Sequence, residues 1–239
     1  MIPKRIHYCW FGRGPIPKEA QQCIDTWHEL MPEWEYVLWN EDNFDIFSFP
    51  YAREAYDARK YAFVSDVARL YALKHLGGIY LDTDVIVYKS FAPLLDYDAF
   101  AGFEGSKHTP IGTCVIGSEA NGEWVSRQLA DYENRRFVMP NGSYDLTTNV
   151  SFITGQMIKE GFIPNGCEQD FGGIHVFPVD FFCPRHTTGE YIRTENTYCE
   201  HLGIGSWAEI KSGWKSELLS RMSPALRVKM IKIKRKIFG

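Results

Sequence analysis

The chain has 239 residues, of which 45% are hydrophobic and 15% aromatic, enough for one well-buried core. Its net charge of −4 conceals an asymmetry: residues 221–239 hold seven of the 26 basic residues and no acidic one, so residues 1–220 carry 19 basic and 30 acidic side chains. A body this acidic argues against nucleic-acid binding, which depends on basic side chains that neutralise phosphates.

Six scattered cysteines, none in a C-x-x-C pair, and an N-terminus without a signal-peptide pattern predict a reduced, cytoplasmic protein. No apolar run reaches the ~20 residues that a transmembrane helix requires. We therefore expect one compact domain over residues 1–220, followed by a distinct tail over residues 221–239.

The first predicted element is a short strand in the sequence IPKRIHYCWFG, which ends at a glycine. Pro15 and Pro17 then open an amphipathic helix of about fifteen residues. The sequence EYVLW at residues 35–39 predicts a second strand, followed by a polar loop that begins at Asn40. A loop after the first strand of an open α/β sheet commonly binds nucleotides, so the loop that follows the first predicted strand is a candidate binding element.

The most informative stretch is YAFVSDVARLYALKHLGGIYLDTDVIV, residues 61–87. It predicts a helix with Ser65 as its N-cap, ended by a Gly-Gly pair. A core strand follows, interrupted by Asp82 and Asp84. Carboxylates are rarely buried without a partner, and two of them at a strand end can bind Mn²⁺ or Mg²⁺. For an isolated D-x-D sequence, the alternative to metal binding is that one aspartate caps a turn and the other is solvated.

The sequence SDVARLYALKHLGGIYLDTD, residues 65–84, resembles the sugar-nucleotide signature of glycosyltransferase family 32. That family includes bacterial polysaccharide transferases, yeast-type mannosyltransferases and clostridial glucosylating toxins. The opening segment and LWNEDNF at residues 38–44 extend the resemblance, which is nearest to the small capsule-type bacterial members. It implies a single α/β domain of the GT-A (Rossmann-like) type, with a mixed, mainly parallel sheet flanked by helices.

The resemblance assigns roles on the predicted helix, where Ser65, Asp66 and Arg69 share one face. In the family, Asp66 accepts hydrogen bonds from sugar hydroxyls, and Arg69 supports the sugar or its diphosphate. Guanidinium geometry suits that role. A surface salt bridge is the alternative.

The resemblance also implies that the loop after the first strand clasps the base, with Tyr8 and Trp10 as donor-binding residues. Asn40 would border the nucleoside. The alternatives are a Trp10 that packs in the core and an Asn40 that forms an Asx turn.

Further along, residues 113–117 predict a strand and residues 122–135 an amphipathic helix. The Pro/Gly/Asn loop at residues 140–144 is a candidate lid over the sugar. Asp145 is a candidate acceptor-side carboxylate, with a solvated loop residue as the alternative.

A histidine, a glycine-rich turn and Ser-Trp at residues 201–207 resemble the C-terminal metal motif of such transferases. The resemblance implies that His201 completes a metal site with Asp84, while Asp82 ligates the metal or holds the ribose. Ser206 and Trp207 would line the diphosphate. The mixed oxygen and nitrogen set favours Mn²⁺, and a histidine with no ligand role is the alternative.

The tail at residues 224–239 places apolar side chains on one helical stripe with basic side chains around it. This pattern is typical of an interfacial helix on anionic lipid. A solvated or packed terminal helix is equally compatible with it.

Together these features predict a metal-dependent transfer of a hexose from a nucleoside diphosphate sugar to a hydroxyl of a lipid-linked polysaccharide, with retention. A UDP-sugar is the favoured donor, and GDP-mannose is the alternative. A metal-dependent hydrolase or nucleotidyltransferase and a glycan-binding protein with a decayed site are the rival classes. The expected location is the cytoplasm, with the inner face of the membrane as a peripheral option.

Overall fold

The structure is a computed structural model that describes residues 1–105, 110–184 and 191–203. The described residues belong to one compact unit, Met1–Ile204. The predicted domain limit at residue 220, the basic tail and the donor-binding candidates Ser206 and Trp207 lie outside the described residues, so they stay predictions.

Strands and helices are interspersed along the described chain, singly at first and then mostly in pairs of the same kind. The strands are β1 Arg5–Cys9, β2 Glu35–Trp39, β3 Gly78–Leu81, β4 Val85–Val87, β5 Ala99–Phe103, β6 Ile111–Ser118, β7 Gln169–Phe171, β8 Ile174–Phe177 and β9 Cys199–His201. The α-helices are α1 Lys18–Leu30, α2 Pro50–Asp57, α3 Tyr61–Leu76, α4 Glu123–Ala130, α5 Asn149–Lys159 and α6 Val179–Phe182. Among the described helices, none combines the length and apolarity needed to cross a bilayer.

Within the described ranges, seven strands form one sheet in the order β2-β1-β3-β6-β5-β8-β7. β1 pairs parallel with β2 and β3, and β5 pairs parallel with β8, whereas β6 and β7 run antiparallel to their neighbours. Five of these seven strands therefore point the same way. The predicted α/β fold of the GT-A type, with a mixed and mainly parallel sheet, is confirmed.

Helices cover both faces of this sheet because side chains alternate along each strand. Tyr80 of β3 joins the core cluster formed with α2, α3, α4 and α5. Its neighbours Ile79 and Leu81 join the opposite cluster, which includes α1 and α6. The sheet is therefore the middle layer of three, and the ends of its strands are left for a site.

The turn from α3 into β3 requires glycine at both positions. Gly77 has φ +59° and Gly78 has φ +123°, a region that other residues rarely adopt. A Cβ atom at Gly77 would lie 2.6 Å from the Ala120 nitrogen, and one at Gly78 would lie 2.7 Å from the Arg5 oxygen. The Gly-Gly pair thus ends the helix as predicted and lets β3 pack closely beside β1.

The predicted N-cap is wrong, because α3 begins at Tyr61 and Ser65 lies one turn inside it. There the Ser65 hydroxyl donates to the Tyr61 carbonyl oxygen at 3.2 Å. A serine hydroxyl bonded one turn back is compatible with a helix interior, so the local sequence did not mark the start.

The two apolar runs around the aspartates are not one interrupted strand. β3 ends at Leu81 in the main sheet, whereas β4 pairs antiparallel with β9 in a separate two-stranded sheet. Asp82 and Asp84 lie in the turn between these strands. A hydrogen bond of 3.1 Å from the backbone nitrogen of Val85 to the backbone carbonyl oxygen of Asp82 closes this turn. The carboxylates therefore stand at the carboxyl end of β3 rather than inside a core strand.

Candidate functional site

The side chain of Arg69 joins α3 to the end of β3. Its Nη2 atom lies 3.0 Å from Asp66 Oδ1 and 3.4 Å from Asp82 Oδ1. Its Nη1 atom donates to the backbone carbonyl oxygen of Thr113 at 2.8 Å, and its Nε atom donates to the backbone carbonyl oxygen of Ser65 at 3.2 Å. A buried guanidinium needs such partners, and here they hold two carboxylates of the predicted site in fixed positions.

The ring of Tyr80 adds to this arrangement and was not singled out from the sequence. Its hydroxyl donates to Asp82 Oδ1 at 2.9 Å, and the Arg69 guanidinium lies 4.5 Å from the centre of its ring. Asp82 Oδ1 therefore has two partners on the protein side. This fixes the orientation of the Asp82 carboxylate.

The protonation state of Asp66 follows from its burial. Desolvation raises the pKa of Asp66 to about 6, although Arg69 acts in the opposite direction. The carboxyl group is therefore mainly ionised at neutral pH and above. In that state it can accept hydrogen bonds from hydroxyl groups.

The pairing of β4 with β9 brings His201 beside Asp84, a contact between residues far apart in the chain. In this register Val85 lies opposite His201, and His201 Nε2 is 3.2 Å from Asp84 Oδ1. Burial alone would lower the pKa of His201, but the neighbouring Cys114 thiol and the Asp84 carboxylate raise it well above its ordinary value.

The predicted metal-binding residues do come together. Asp82, Asp84 and His201 each offer one ligand atom, and these three atoms lie within 4.8 Å of one another. Two carboxylates and one imidazole form a mixed oxygen and nitrogen set that suits Mn²⁺. The residues present thus fit a divalent cation.

The other donor-binding candidates lie on loops and strand ends. Tyr8 is half-buried, with its ring edge-on to Trp27 at 5.6 Å. The Trp10 indole nitrogen donates to the Gly14 oxygen at 2.8 Å. Asn40 Oδ1 accepts from the Asp42 nitrogen at 2.8 Å, which is the Asx turn held open as the alternative. A contact between these residues and a nucleotide remains a prediction.

Asp145, the acceptor-side candidate, forms an ion pair with Arg135. Its Oδ2 atom accepts from Arg135 Nη2 at 2.8 Å and from Nε at 3.1 Å. Burial favours a higher pKa for Asp145, but hydrogen bonds from Thr147 and Arg135 outweigh it and lower the pKa. Asp145 is thus an ionised residue in a structural contact, and its acceptor role stays a prediction.

Arg135 itself is a residue that the sequence interpretation missed, because α4 ends at Ala130 and not at residue 135. Its guanidinium lies 3.9 Å from the Phe152 ring centre and 4.6 Å from that of Tyr51. It also lies close enough to Asp66 to interact electrostatically.

Several buried polar atoms near Arg135 have no hydrogen-bond partner among the described residues: Arg135 Nη1, the Tyr51 and Tyr132 hydroxyls and Asn149 Nδ2. Buried polar atoms without partners are uncommon in folded proteins. A polyhydroxylated ligand beside Asp66 would supply such partners. The signal in the sequence is weak, because these residues are spread over two helices, α2 and α5, and the segment after α4.

The comparisons with known proteins agree with this chemistry. Residues 17–101 match the family model described as a glycosyltransferase sugar-binding region containing a DXD motif. An uncharacterised glycosyltransferase of Acanthamoeba polyphaga mimivirus is 37% identical over 226 residues, which covers 87% of this chain and 84% of the viral protein. The chain belongs to this glycosyltransferase family.

Other relatives match only part of the chain. Inositol phosphoceramide mannosyltransferase 3 of Schizosaccharomyces pombe is 37% identical over 107 residues, or 41% of this chain. The mannosyl phosphorylinositol ceramide synthase CSH1 of Saccharomyces cerevisiae is 31% identical over 126 residues, or 49% of it. The chain spans only 29% and 32% of the lengths of these two proteins.

A galactosyltransferase solved with donor and acceptor sugar analogues superimposes with a TM-score of 0.43 at 13% sequence identity, covering 90% of this chain and 94% of the other. The viral relative and the family-model match, and not this superposition, confirm the expected resemblance to DXD glycosyltransferases at the level of the family. Membership of the bacterial capsule type stays a prediction.

Proposed function

We propose that the transferase moves a hexosyl group from a nucleoside diphosphate sugar to a hydroxyl of a glycan or glycolipid acceptor. The observation that carries this proposal is the convergence of Asp82, Asp84 and His201 at the carboxyl end of β3, next to the buried Asp66 and Arg69 pair. Carboxyl ends of strands are where open α/β sheets bind nucleotides.

A divalent cation held by Asp82, Asp84 and His201, for which Mn²⁺ is the favoured ion, would neutralise the charge of the leaving diphosphate. The ionised Asp66 would accept hydrogen bonds from sugar hydroxyls. Arg69 already donates through Nε, Nη1 and Nη2 to three protein oxygens, and Nη2 also forms an ion pair with Asp82 Oδ1. We therefore assign Arg69 chiefly the task of positioning the Asp66 and Asp82 carboxylates.

The donor has two candidates. The resemblance to small bacterial family members favours a UDP-sugar. The names of the fungal relatives, which include mannosyltransferases, favour GDP-mannose. Both candidates place the sugar beside Asp66, so the nucleobase and the sugar have to be distinguished by experiment.

The remaining features of the proposal rest on the sequence. Retention of configuration, a lipid-linked acceptor of a capsule-type polysaccharide and a location at the inner face of the membrane follow from the resemblance. Contact of residues 224–239 with anionic lipid follows from their charge pattern. Co-sedimentation with anionic vesicles, with and without these residues, would test the last point.

The decisive experiment is a panel of UDP- and GDP-sugars, each with Mn²⁺, Mg²⁺ or EDTA, read by melting temperature and by release of nucleoside diphosphate. It compares the wild type with Asp84→Asn. Asp57→Asn is a matched control, because this carboxylate lies on α2 and its side chain is 68% exposed. We expect one nucleotide class to raise the melting temperature only with metal, and this rise to be lost in Asp84→Asn alone.

Flat curves for all donors and metals would overturn the transferase proposal in favour of a glycan-binding protein. A metal-dependent rise that survives in Asp84→Asn would show that the cation binds elsewhere. If nucleoside diphosphate is released faster with an added glycan or glycolipid than with water alone, the reaction is transfer and not hydrolysis.

A further inference from the structure

A second group of metal-ligating side chains adjoins the predicted catalytic site, because both groups include His201. It consists of Glu104 after β5, Cys114 in β6, Cys183 after α6 and His201 at the end of β9. Each offers one ligand atom, and the four atoms lie within 4.8 Å of one another. Because four separate elements contribute one ligand each, the sequence shows no metal-binding motif at these positions.

The distance between the two sulfur atoms is informative. Cys114 Sγ and Cys183 Sγ are 3.4 Å apart, too far for a disulfide bond of about 2.05 Å. Two thiolates about 2.3 Å from a tetrahedral Zn²⁺ ion would lie roughly 3.8 Å apart. The pair therefore has nearly the separation that a shared zinc ion requires.

A cysteine in a hydrophobic core is commonly only a small apolar side chain. That account does not explain why Glu104 and His201 also bring an oxygen and a nitrogen atom within 4.8 Å of both sulfur atoms. Burial raises the pKa of Glu104, as expected for such a position. Two sulfurs, one carboxylate oxygen and one imidazole nitrogen together form a complete four-ligand set for Zn²⁺.

We propose that Cys114, Cys183, Glu104 and His201 form a thiolate site for a thiophilic cation of the Zn²⁺ class, separate from the Asp82 and Asp84 site. Binding exchanges the two thiol protons, and any proton held by His201 or Glu104, for the metal ion, with no oxidation or reduction. The soft thiolate ligands select against Mn²⁺ and Mg²⁺. The two sites consequently differ in the ions they take.

The shared ligand couples the two sites. His201 belongs to both sets, so an ion held by the thiolates withdraws it from Asp82 and Asp84. This coupling rests on the proposed function, whereas the thiolate site itself does not. Zn²⁺ therefore acts as an inhibitor that competes with Mn²⁺ for the protein.

The thiolate site is tested with Co²⁺, whose thiolate charge-transfer and tetrahedral d–d absorption bands report the ligands directly. The full chain, reduced with a phosphine, is titrated with Co²⁺ and then with Zn²⁺. We expect one Co²⁺ per chain, thiolate bands in the wild type and their loss on Zn²⁺ addition. Cys114→Ser and Cys183→Ser should weaken Zn²⁺ binding at least about tenfold. Cys167→Ser is the matched control, because Cys167 is exposed.

The coupling is tested by electron paramagnetic resonance of bound Mn²⁺. One equivalent of Zn²⁺ should release Mn²⁺ from the wild type and from Cys167→Ser but not from Cys183→Ser. X-ray absorption of the zinc-loaded wild type should show two sulfur neighbours, which tests the site even where a cysteine variant does not fold. A spectrum without thiolate bands or with only oxygen and nitrogen neighbours overturns the site. Undiminished Mn²⁺ binding in the presence of Zn²⁺ overturns the coupling.

Thiolate bands together with a flat donor panel would separate the two proposals, since the zinc site would then stand without the transferase activity.

Discussion

Two histidines, His7 of β1 and His201 of β9, occupy contrasting surroundings in this molecule. His7 is 0% exposed, accepts from the Trp39 indole at Nδ1 and lies 2.9 Å from the Gly77 oxygen through Nε2. His201 has a side chain that is 28% exposed and faces a carboxylate. Burial lowers the pKa of His7 to about 4, whereas the surroundings of His201 raise its pKa well above the ordinary value. The partners of His7 are a carbonyl and an indole, so we assign His7 a structural role. The partners of His201 are a carboxylate and a thiol, which can bind a cation together with its ring nitrogen.

The largest expected effect is a loss of activity when His201 is replaced, which should not occur when His7 is replaced. His201→Ala removes one of the three candidate ligands, so we expect the donor-dependent activity to fall by on the order of 100-fold or more. The fall should be accompanied by weaker Mn²⁺ binding but only a small change in melting temperature. Steady-state kinetics at saturating Mn²⁺ provide the measurement. Activity within about threefold of the wild type would remove His201 from the site.

The complementary variant, His7→Ala, should act on stability instead. It leaves the Trp39 indole N–H and the Gly77 carbonyl without their partner and creates a cavity beneath β1. We expect the free energy of unfolding to fall by roughly 2–4 kcal/mol. Urea denaturation would measure this, with the exposed His28→Ala as the control. Activity per folded molecule should be unchanged, and a selective loss of activity would contradict the contrast between the two histidines.

Local sequence was sufficient for the features that a few neighbouring residues create. The Gly-Gly pair, the strand after it and the two aspartates follow from the sequence of residues 61–87, because each depends on backbone conformation and short-range pattern. The link between Asp84 and His201 was reached only through the family resemblance. The pairing of β4 with β9 that produces it is invisible to local pattern.

Features that depend on contacts between several elements could not be predicted from the sequence. Arg69 has partners on α3, β3 and β6. The neutral state of His7 results from its burial in the assembled fold, which outweighs the opposing effect of the Gly77 carbonyl. The proximity of Cys114 to Cys183 depends on how α6 packs against the sheet. In each case tertiary contacts decide the chemistry of a side chain whose own neighbours in sequence give no sign of it.

The pH dependence of stability sharpens the contrast further. The pKa of His7 is about 4 in the folded protein and 6.5 in the ordinary state, so between these values the unfolded chain binds a proton that the folded chain does not. Stability therefore falls as the pH falls through this window. The advantage of the wild type over His7→Ala should shrink by roughly 2–3 kcal/mol between pH 7.5 and pH 4.5. A constant difference across this range would show that His7 does not remain neutral.

The smallest effect concerns the affinity for Mn²⁺. Because His201 has a raised pKa in the protein without metal, a proton competes with the cation for its ring nitrogen. At pH values below that pKa, the apparent affinity should fall by up to about tenfold for each unit of decrease. Titration of Mn²⁺ by electron paramagnetic resonance at pH 6, 7 and 8 gives the slope, and His28→Ala should share it. In His201→Ala the residual affinity should vary less with pH, because the competing proton has lost its site. Equal slopes in the wild type and in His201→Ala would assign the proton to another group and would leave Asp82 and Asp84 as the only described ligands in that set.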